Sequence, residues 1–294
     1  MPSSTAAKPV KLAQKYPTWG AWVDSGDWAK SSPTGTLTLP ANASEIMILA
    51  LDPDVSVTQL ARVTSRDQVL AARMLRLANS AYCAPLQEIT TISEAVVRLG
   101  TASVRNVVLA TCMASRLQSG NTYGAHGRGL AAHGIGTAFL AQLVARVAVV
   151  NQEEAFLYGL VHDIGKLLVL QLSKDYVRGG GKAPADDEVR NVIETRHAEF
   201  GGRVLREWRL PPVIEEPVVY HHRPDECTSH TFEASVCYMA NRLSHRYGFG
   251  CDAAPDAPVL EDPIAGKLGL TEAWLTDLDA RAPELFKNAA DAFA

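Results

Sequence analysis

Apolar residues recur at helical spacing through almost the whole chain, and this periodicity limits the folds open to it. From Ala43 onward, hydrophobic side chains return every three or four residues, as in the series Val57, Leu60 and Ala61. Such a pattern predicts amphipathic helices, whereas a half-buried strand would alternate apolar and polar residues. The predicted connections are about two to eight residues long, which is typical of helical bundles. The sequence therefore predicts an all-α fold.

A glycine-rich joint, Gly120–Gly129, separates two groups of predicted helices. In the first group, one short helix is expected to end at Gly100, because glycine is a preferred residue just after a helix. In the second group we predict helices over 130–149, 153–172, 187–208, 212–222 and 231–247. The chain is therefore divided into four parts. A flexible N-terminal arm covers residues 1–36, and an N-terminal helical lobe covers 37–120. A second helical lobe covers 129–248, and a C-terminal helical extension covers 249–294.

The N-terminal arm is rich in Ser, Thr, Ala, Gly and Pro and also contains Trp19, Trp22 and Trp28. This composition indicates either a disordered tail or an arm whose tryptophans dock on the body of the protein or on a partner. The alternating segment Thr36-Leu37-Thr38-Leu39 is the one strand-like piece, and it ends at Pro40.

Charge and cysteine content restrict the partners and the compartment. The formal net charge of −4 provides no basic field for a nucleic acid or an anionic membrane, so we expect neither as a partner. The five cysteines contain no C-x-x-C pair, which favours a reducing compartment. The first residues lack the apolar core of a secretory signal, and charged residues interrupt the longest apolar runs. These features predict a cytoplasmic protein.

Histidines lie where the predicted helices of the second lobe should be apolar. A single such histidine is usually a hydrogen-bonded core residue. Several buried imidazoles and a carboxylate without partners cost roughly 1–3 kcal/mol per group, whereas a shared metal satisfies all of them. Mixed imidazole and carboxylate donors suit Mn, Fe, Ni or Zn rather than Ca. The pattern predicts a site for one divalent transition metal, with candidate ligands His133, His162, Asp163, His197, His221 and His222.

The segment His162-Asp163-Ile164-Gly165-Lys166 resembles the signature of the HD superfamily of metal-dependent phosphohydrolases. Three earlier segments add to this resemblance, namely 51–56 (LDPDVS), 75–81 (LRLANSA) and 95–100 (AVVRLG). They resemble the HDOD family, the HD-related output domains of bacterial signalling proteins. The resemblance extends from about Leu39 to Gly248, although Asp67-Gln68 stands where the family usually has Asp-Pro. It implies an N-terminal helical lobe packed on an HD-like lobe.

The resemblance also implies roles for individual residues. The candidate ligands match the metal-centre positions of the related HD-GYP phosphodiesterases, and Lys166 matches a lysine that faces the substrate phosphate. Asn241 stands at the closing position in place of Asp, Gly129 replaces an acidic residue, and the Gly-Tyr-Pro segment is missing after His222. Because two negative charges are lost, one metal is expected rather than two.

Three functions follow as hypotheses. The favoured one is a non-enzymatic output or adaptor module that binds a nucleotide or a signalling partner, as in cyclic di-GMP signalling. The second is a metal-dependent phosphohydrolase acting on a nucleotide or cyclic dinucleotide, with Asp163 as ligand and proton acceptor and Lys166 stabilising phosphate charge. The third is a second-messenger receptor in which Arg98, Arg105 and Arg116 pair with phosphates, unless they form a solvated helix face.

Overall fold

A computed structural model describes residues 12–31, 37, 40–50, 52, 54–79, 87–118, 124–250 and 258–293 of the chain. Within these residues the regular structure is helical and contains no strand, which confirms the all-α prediction. Of the predicted strand-like segment, Leu37 is helical rather than extended, and its neighbours on either side lie outside the described residues.

The N-terminal half is built from short helices followed by one long helix. Side-chain caps fix two of their starts: Ser56 Oγ accepts from Gln59 N, and the Asp67 carboxylate accepts from two amides of the next turn. The described helices are α1 (Leu12–Lys15), α2 (Trp19–Ser25), α3 (Trp28–Ser31), α4 (Ala41–Leu49), α5 (Val57–Thr64), α6 (Gln68–Ala78) and α7 (Ile92–Gln118).

Gly100 interrupts α7, as the sequence predicted for a helix end at this position. Its φ of +79° lies in the left-handed region that favours glycine, and the helix resumes directly after it with a kink. Helices α4, α5 and α6 all pack against α7, and together they form the N-terminal lobe.

The second lobe contains longer helices that enclose the histidines. Helix α8 packs on α9 and α13, and α10 packs on α11. Contacts of α7 with α8 and α9 join the two lobes, so one apolar core runs through both. These helices are α8 (Gly124–Ala148), α9 (Gln152–Val161), α10 (Ile164–Arg178), α11 (Asp186–Glu207), α12 (Pro212–Tyr220), α13 (Thr231–Arg246), α14 (Pro263–Lys267) and α15 (Glu272–Phe293).

The predicted continuous helix over 153–172 is wrong, because the chain breaks at His162 and Asp163 into α9 and α10. The backbone of His162 keeps helical angles, whereas that of Asp163 departs from them, with φ of −99° and ψ of 10°. Both side chains are buried at this break. Gly165 permits the tight packing that follows, since a Cβ at this position would lie 1.9 Å from the His197 carbonyl oxygen.

The described part of the N-terminal arm docks on the second lobe through its tryptophans, which is the second of the two alternatives predicted for it. Trp19, Trp22 and Trp28 are buried. The ring of Trp22 stacks on Tyr176 of α10 at 5.8 Å, and Trp28 meets Phe200 of α11 edge-on at 5.2 Å. Residues 1–11 and 32–36 of the predicted arm lie outside the described part of the chain.

Two stretches of the second lobe are long and apolar enough to cross a membrane, by length and composition alone. They are Arg128–Ala148 and Gln152–Arg178, of which 61% and 89% are buried inside the protein. Such burial is typical of core helices, and the second stretch is divided by the break at His162.

Candidate metal centre

Five parts of the second lobe bring their polar side chains to one buried point. All seven side chains predicted as metal ligands lie there, and of the five histidines in this set only His222 is exposed. His133 comes from α8, His162 and Asp163 from the break between α9 and α10, His197 from α11, His221 and His222 from the end of α12, and Asn241 from α13.

Asp163 lies between two groups of imidazoles. Its Oδ2 is 3.4 Å from His162 Nε2 and 3.6 Å from His133 Nε2. Its Oδ1 is 3.3 Å from His197 Nε2 and 3.8 Å from His221 Nε2. The two oxygens therefore face different halves of the cluster, one with His133 and His162 and the other with His197, His221 and His222.

Backbone carbonyls hold four of the imidazoles in one tautomer. Because a carbonyl oxygen only accepts, the Nδ1 atom facing it must carry the proton, and Nε2 is then left with a lone pair. Histidines that bind metals are usually oriented in this way by a second hydrogen bond. The Nδ1–carbonyl distances are 3.0 Å for His133 to Phe249, 2.8 Å for His162 to Gly159, 2.6 Å for His197 to Ile193 and 2.6 Å for His221 to Val218.

The Nε2 atoms consequently face one another without a proton between them. His197 Nε2 lies 3.2 Å from His221 Nε2, and both are lone-pair acceptors. His162 Nε2 and Asp163 Oδ1 are buried and have no hydrogen-bond partner. Buried acceptors in this arrangement repel one another unless a cation lies between them, and nitrogen ligands of a tetrahedral metal lie at similar separations. The residues present therefore fit a divalent metal.

Burial favours the neutral form of His133, His197, His221 and His222, which is the form that binds metals. Burial, followed by the proximity of His162, lowers the pKa of His133 to about 4. Burial, followed by the proximity of His197, lowers the pKa of His222 to about 4. Burial also lowers the pKa of His197, and that of His221 well below its usual value. Four ligand nitrogens are thus free of competing protons at neutral pH.

Asp163 remains a carboxylate although it is buried. Burial by itself raises the pKa of this group, but the neighbouring His162 and Lys166 outweigh burial and hold it well below its usual value. Lys166 Nζ donates to Asp163 Oδ2 at 2.6 Å, and its side chain is 30% exposed. Lys166 therefore connects the buried carboxylate to solvent.

Asn241 and Gly129 stand where the resemblance implied acidic residues, and their surroundings differ. Asn241 Oδ1 lies 3.0 Å from His133 Nε2, so its amide faces a candidate ligand nitrogen. At Gly129 there is no room for a side chain, because a Cβ would lie 2.7 Å from the carbonyl oxygen of Gly250. The backbone at Phe249 and Gly250 fills this space instead, and Phe249 also accepts the hydrogen bond from His133.

Two residues at the centre were not predicted from the sequence. The His245 ring lies 5.0 Å from the His133 ring, and Ser244 Oγ is 3.1 Å from His133 Nδ1. They follow Asn241 by three and four residues on α13, so helical spacing from Asn241 would have indicated them.

Two of the three arginines considered as phosphate partners have described side chains, and they differ in exposure. Arg105 is buried, and burial lowers its pKa. Arg98 is exposed, and the side chain of Arg116 lies outside the described residues. Arg98 and Arg105 therefore lie in different environments, although both belong to α7.

Comparison with known proteins agrees with this architecture. A family model of the HDOD domain matches residues 37–224. An uncharacterized protein of Treponema pallidum (strain Nichols) is 26% identical over 196 residues, which are 63% of this chain and 37% of that protein. The chain thus spans little more than a third of the length of this curated relative.

Solved structures with the same fold come from several bacteria, and at these identities the likeness concerns the fold alone. An HDOD domain protein of unknown function from Geobacter sulfurreducens has a TM-score of 0.66 at 21% identity, with 97% of this chain and 98% of that chain covered. A Shewanella amazonensis protein, named as a proposed metal-dependent phosphohydrolase, has 0.67 at 17%, covering 97% and 99%. A Marinobacter aquaeolei protein, named as a proposed signal transduction protein, has 0.62 at 20%, covering 91% and 60%.

Proposed function

The chain belongs to the HDOD domain family, and on that premise we propose that it is a bacterial signalling output or adaptor module built around a metal-holding centre. It passes a signal by binding a nucleotide or a partner protein and does not depend on catalysis. The observation that carries the metal-holding centre is the convergence of proton-free Nε2 atoms on the buried carboxylate of Asp163.

The metal would be held by the residues that face this point. His133, His162 and Asp163 supply one group of donor atoms, and His197 adds a nitrogen from the opposite side of the carboxylate. Imidazole and carboxylate donors favour Mn, Fe, Ni or Zn. Because these ligands come from separate helices, metal binding stabilises the packing of the second lobe.

Four features favour a non-catalytic role. Asn241 is neutral where a carboxylate would offset metal charge, and the backbone at Gly250 leaves no space for an acidic side chain at Gly129. Lys166, which is partly exposed, forms an ion pair with Asp163. Asp163 and most of the histidines are buried, so a substrate would reach the centre through the side of His222 and Lys166.

The alternative function is a metal-dependent phosphohydrolase, and the complete set of histidines favours it. When bound, a divalent metal supplies Lewis-acid polarisation of a phosphoryl oxygen. Lys166 would turn from Asp163 to stabilise negative charge on the phosphate, and Asp163 would accept a proton. His222, the exposed member of the cluster, would contact the substrate at the open side.

Hydrolysis of a generic phosphodiester, bis(p-nitrophenyl) phosphate, separates the two functions. The full chain is assayed with Mn²⁺ and with Fe²⁺, beside the double variant His162→Ala/Asp163→Ala. The output-module proposal predicts metal binding without turnover above that of the double variant. Metal-dependent turnover that the double substitution abolishes would contradict the non-catalytic role and establish the phosphohydrolase.

A further inference from the structure

A cavity lies between the two lobes, and none of its lining residues belongs to the candidate metal centre. It is lined by α6 and α7 of the N-terminal lobe and by α8 and α9 of the second lobe. Its volume is about 160 Å³. Its lining combines apolar side chains with Arg98, Ser103, Asn106, Gln142 and Glu153. Pockets for drug-sized ligands hold about 300–1,000 Å³, so this cavity accepts one ring system rather than a larger molecule.

Two polar residues of the cavity, Asn106 and Glu153, contribute hydrogen-bond acceptors. Asn106 Nδ2 donates to the Glu153 carbonyl at 3.0 Å and to Glu153 Oε2 at 3.2 Å, which fixes the orientation of the amide. Ser103 Oγ also donates to Glu153 Oε2, at 2.8 Å. Asn106 Oδ1 remains buried without a hydrogen-bond partner, and Asn106 is 3% exposed. A ligand that completes this site therefore presents N–H or O–H donors.

The apolar walls of the cavity favour a flat ring. The rings of Phe139 and Phe156 lie 5.3 Å apart at an interplanar angle of 87°, and both line the cavity. Two faces at right angles form a corner in which a planar ligand stacks on one ring and meets the edge of the other.

An exposed cation lies where the remainder of such a ligand would emerge. Arg98 lines the same cavity and is open to solvent. A guanidinium in this position suits an anionic group such as a phosphate, which it can bind through two parallel hydrogen bonds. Since the cavity accepts a single ring system, the charged part of the ligand would stay outside, beside Arg98.

We propose that this interlobe cavity binds a small anionic heteroaromatic compound of the nucleoside monophosphate type, with the ring inside and the phosphate at Arg98. Guanine carries adjacent N1–H and N2–H₂ donors, which match the acceptors Asn106 Oδ1 and the Glu153 carboxylate. Because the cavity joins α7 to α8 and α9, the ligand would contact both lobes at once.

Calorimetric titration of the full chain with GMP, guanosine and AMP tests this assignment. GMP is expected to bind more tightly than AMP, because AMP presents a ring acceptor next to its amino group. Arg98→Ala should weaken GMP binding about tenfold, a typical effect for one charge-assisted contact, and leave guanosine binding unchanged. Leu99→Phe, which fills the cavity from its wall, should abolish the binding of both GMP and guanosine.

Two controls make the result decisive. Arg190→Ala removes an exposed arginine from α11 and should leave GMP binding unchanged, and thermal melting verifies that each variant folds. Absence of GMP binding at millimolar concentration, equal binding of AMP, or insensitivity to Leu99→Phe would overturn the assignment. Loss of GMP binding in His162→Ala/Asp163→Ala but not in Leu99→Phe would place the nucleotide at the metal centre, which overturns the cavity site and leaves the proposed function standing.

Discussion

Lys166 Nζ lies 2.6 Å from Asp163 Oδ2, and this ammonium group is the one cation of the described residues that contacts the carboxylate at the candidate metal centre. Lys166 and a bound metal ion would therefore compete for Asp163 Oδ2. In the absence of a metal it offsets the buried negative charge, and in the presence of one it competes for the same oxygen.

Lys166→Met should consequently strengthen metal binding and weaken the metal-free protein. We expect the dissociation constant for Mn²⁺ or Zn²⁺ to fall about tenfold, since a competing charge is removed. The melting temperature of the metal-free protein should fall, because Asp163 loses its cation, and added metal should restore it. Isothermal titration and thermal melting measure the two effects. Lys174→Met on the same helix is the control, and weaker metal binding by Lys166→Met than by this control would contradict competition for Asp163.

Acidification should destabilise the metal-free protein. The folded-state pKa values of His133 and His222 are about 4, whereas an unfolded histidine titrates near about 6.5. Between these values the unfolded chain binds protons that the folded chain does not, so the free energy of unfolding decreases as the pH falls through this window. The contribution of Asp163 is lost only below this window, because its folded pKa lies well below the usual value.

Urea denaturation at a series of pH values checks this dependence. His230→Gln changes a histidine that is paired with Glu216 outside the centre, and it should retain the decrease. His221→Asn removes one of the buried imidazoles and should make the decrease smaller. A free energy of unfolding that stays constant or rises between about pH 6.5 and 4 would contradict the neutral, buried state of these histidines.

Removal of a docked tryptophan should destabilise the protein as a core substitution does. Trp28 is 1% exposed, contacts Phe200 edge-on and lies under the guanidinium of Arg203 at 4.6 Å. Trp28→Ala should lower the free energy of unfolding by about 3–5 kcal/mol. Trp274→Ala, at a partly buried position on α15, is the control and should have a smaller effect. A loss below about 1 kcal/mol for Trp28→Ala would contradict the docking of the arm.

The two missing acidic positions should respond differently to substitution. Asn241→Asp places a carboxylate next to His133 Nε2 and should increase metal affinity, because a charged oxygen is a stronger ligand than an amide. Gly129→Ala, in contrast, forces a Cβ against the carbonyl of Gly250 and should cost about 1–3 kcal/mol of stability. Metal titration and urea denaturation of both variants measure these effects. A tolerated Gly129→Ala together with unchanged metal affinity in Asn241→Asp would contradict the described geometry.

The helices were predictable because their apolar spacing is regular, and the break at His162 was not. Within Leu160–Leu167 the residue that most disfavours a helix is Gly165, which follows the break and packs against the backbone of α11. Similarly, the composition of the arm left disorder and docking open, and the partners of Trp22 and Trp28 lie more than a hundred residues further along the chain.

The candidate ligands were identified from histidines on apolar faces and from the family resemblance, whereas their tautomers required coordinates. The carbonyls that fix Nδ1 of His162, His197 and His221 lie three or four residues earlier on the same helix. His245 was not predicted, because the family resemblance points only to the closing residue, Asn241, on its helix. That these side chains act as ligands remains a prediction.

Titration of the metal-stripped chain with Mn²⁺, Fe²⁺, Ni²⁺ and Zn²⁺ at about pH 8, where the imidazoles are neutral, tests the metal centre itself. We expect at least one of these ions to bind with one ion per chain and to raise the melting temperature. His162→Ala/Asp163→Ala should abolish both effects, whereas His230→Ala should retain them. If none of the four ions binds or raises the melting temperature of the unsubstituted chain, the proposed metal centre is contradicted.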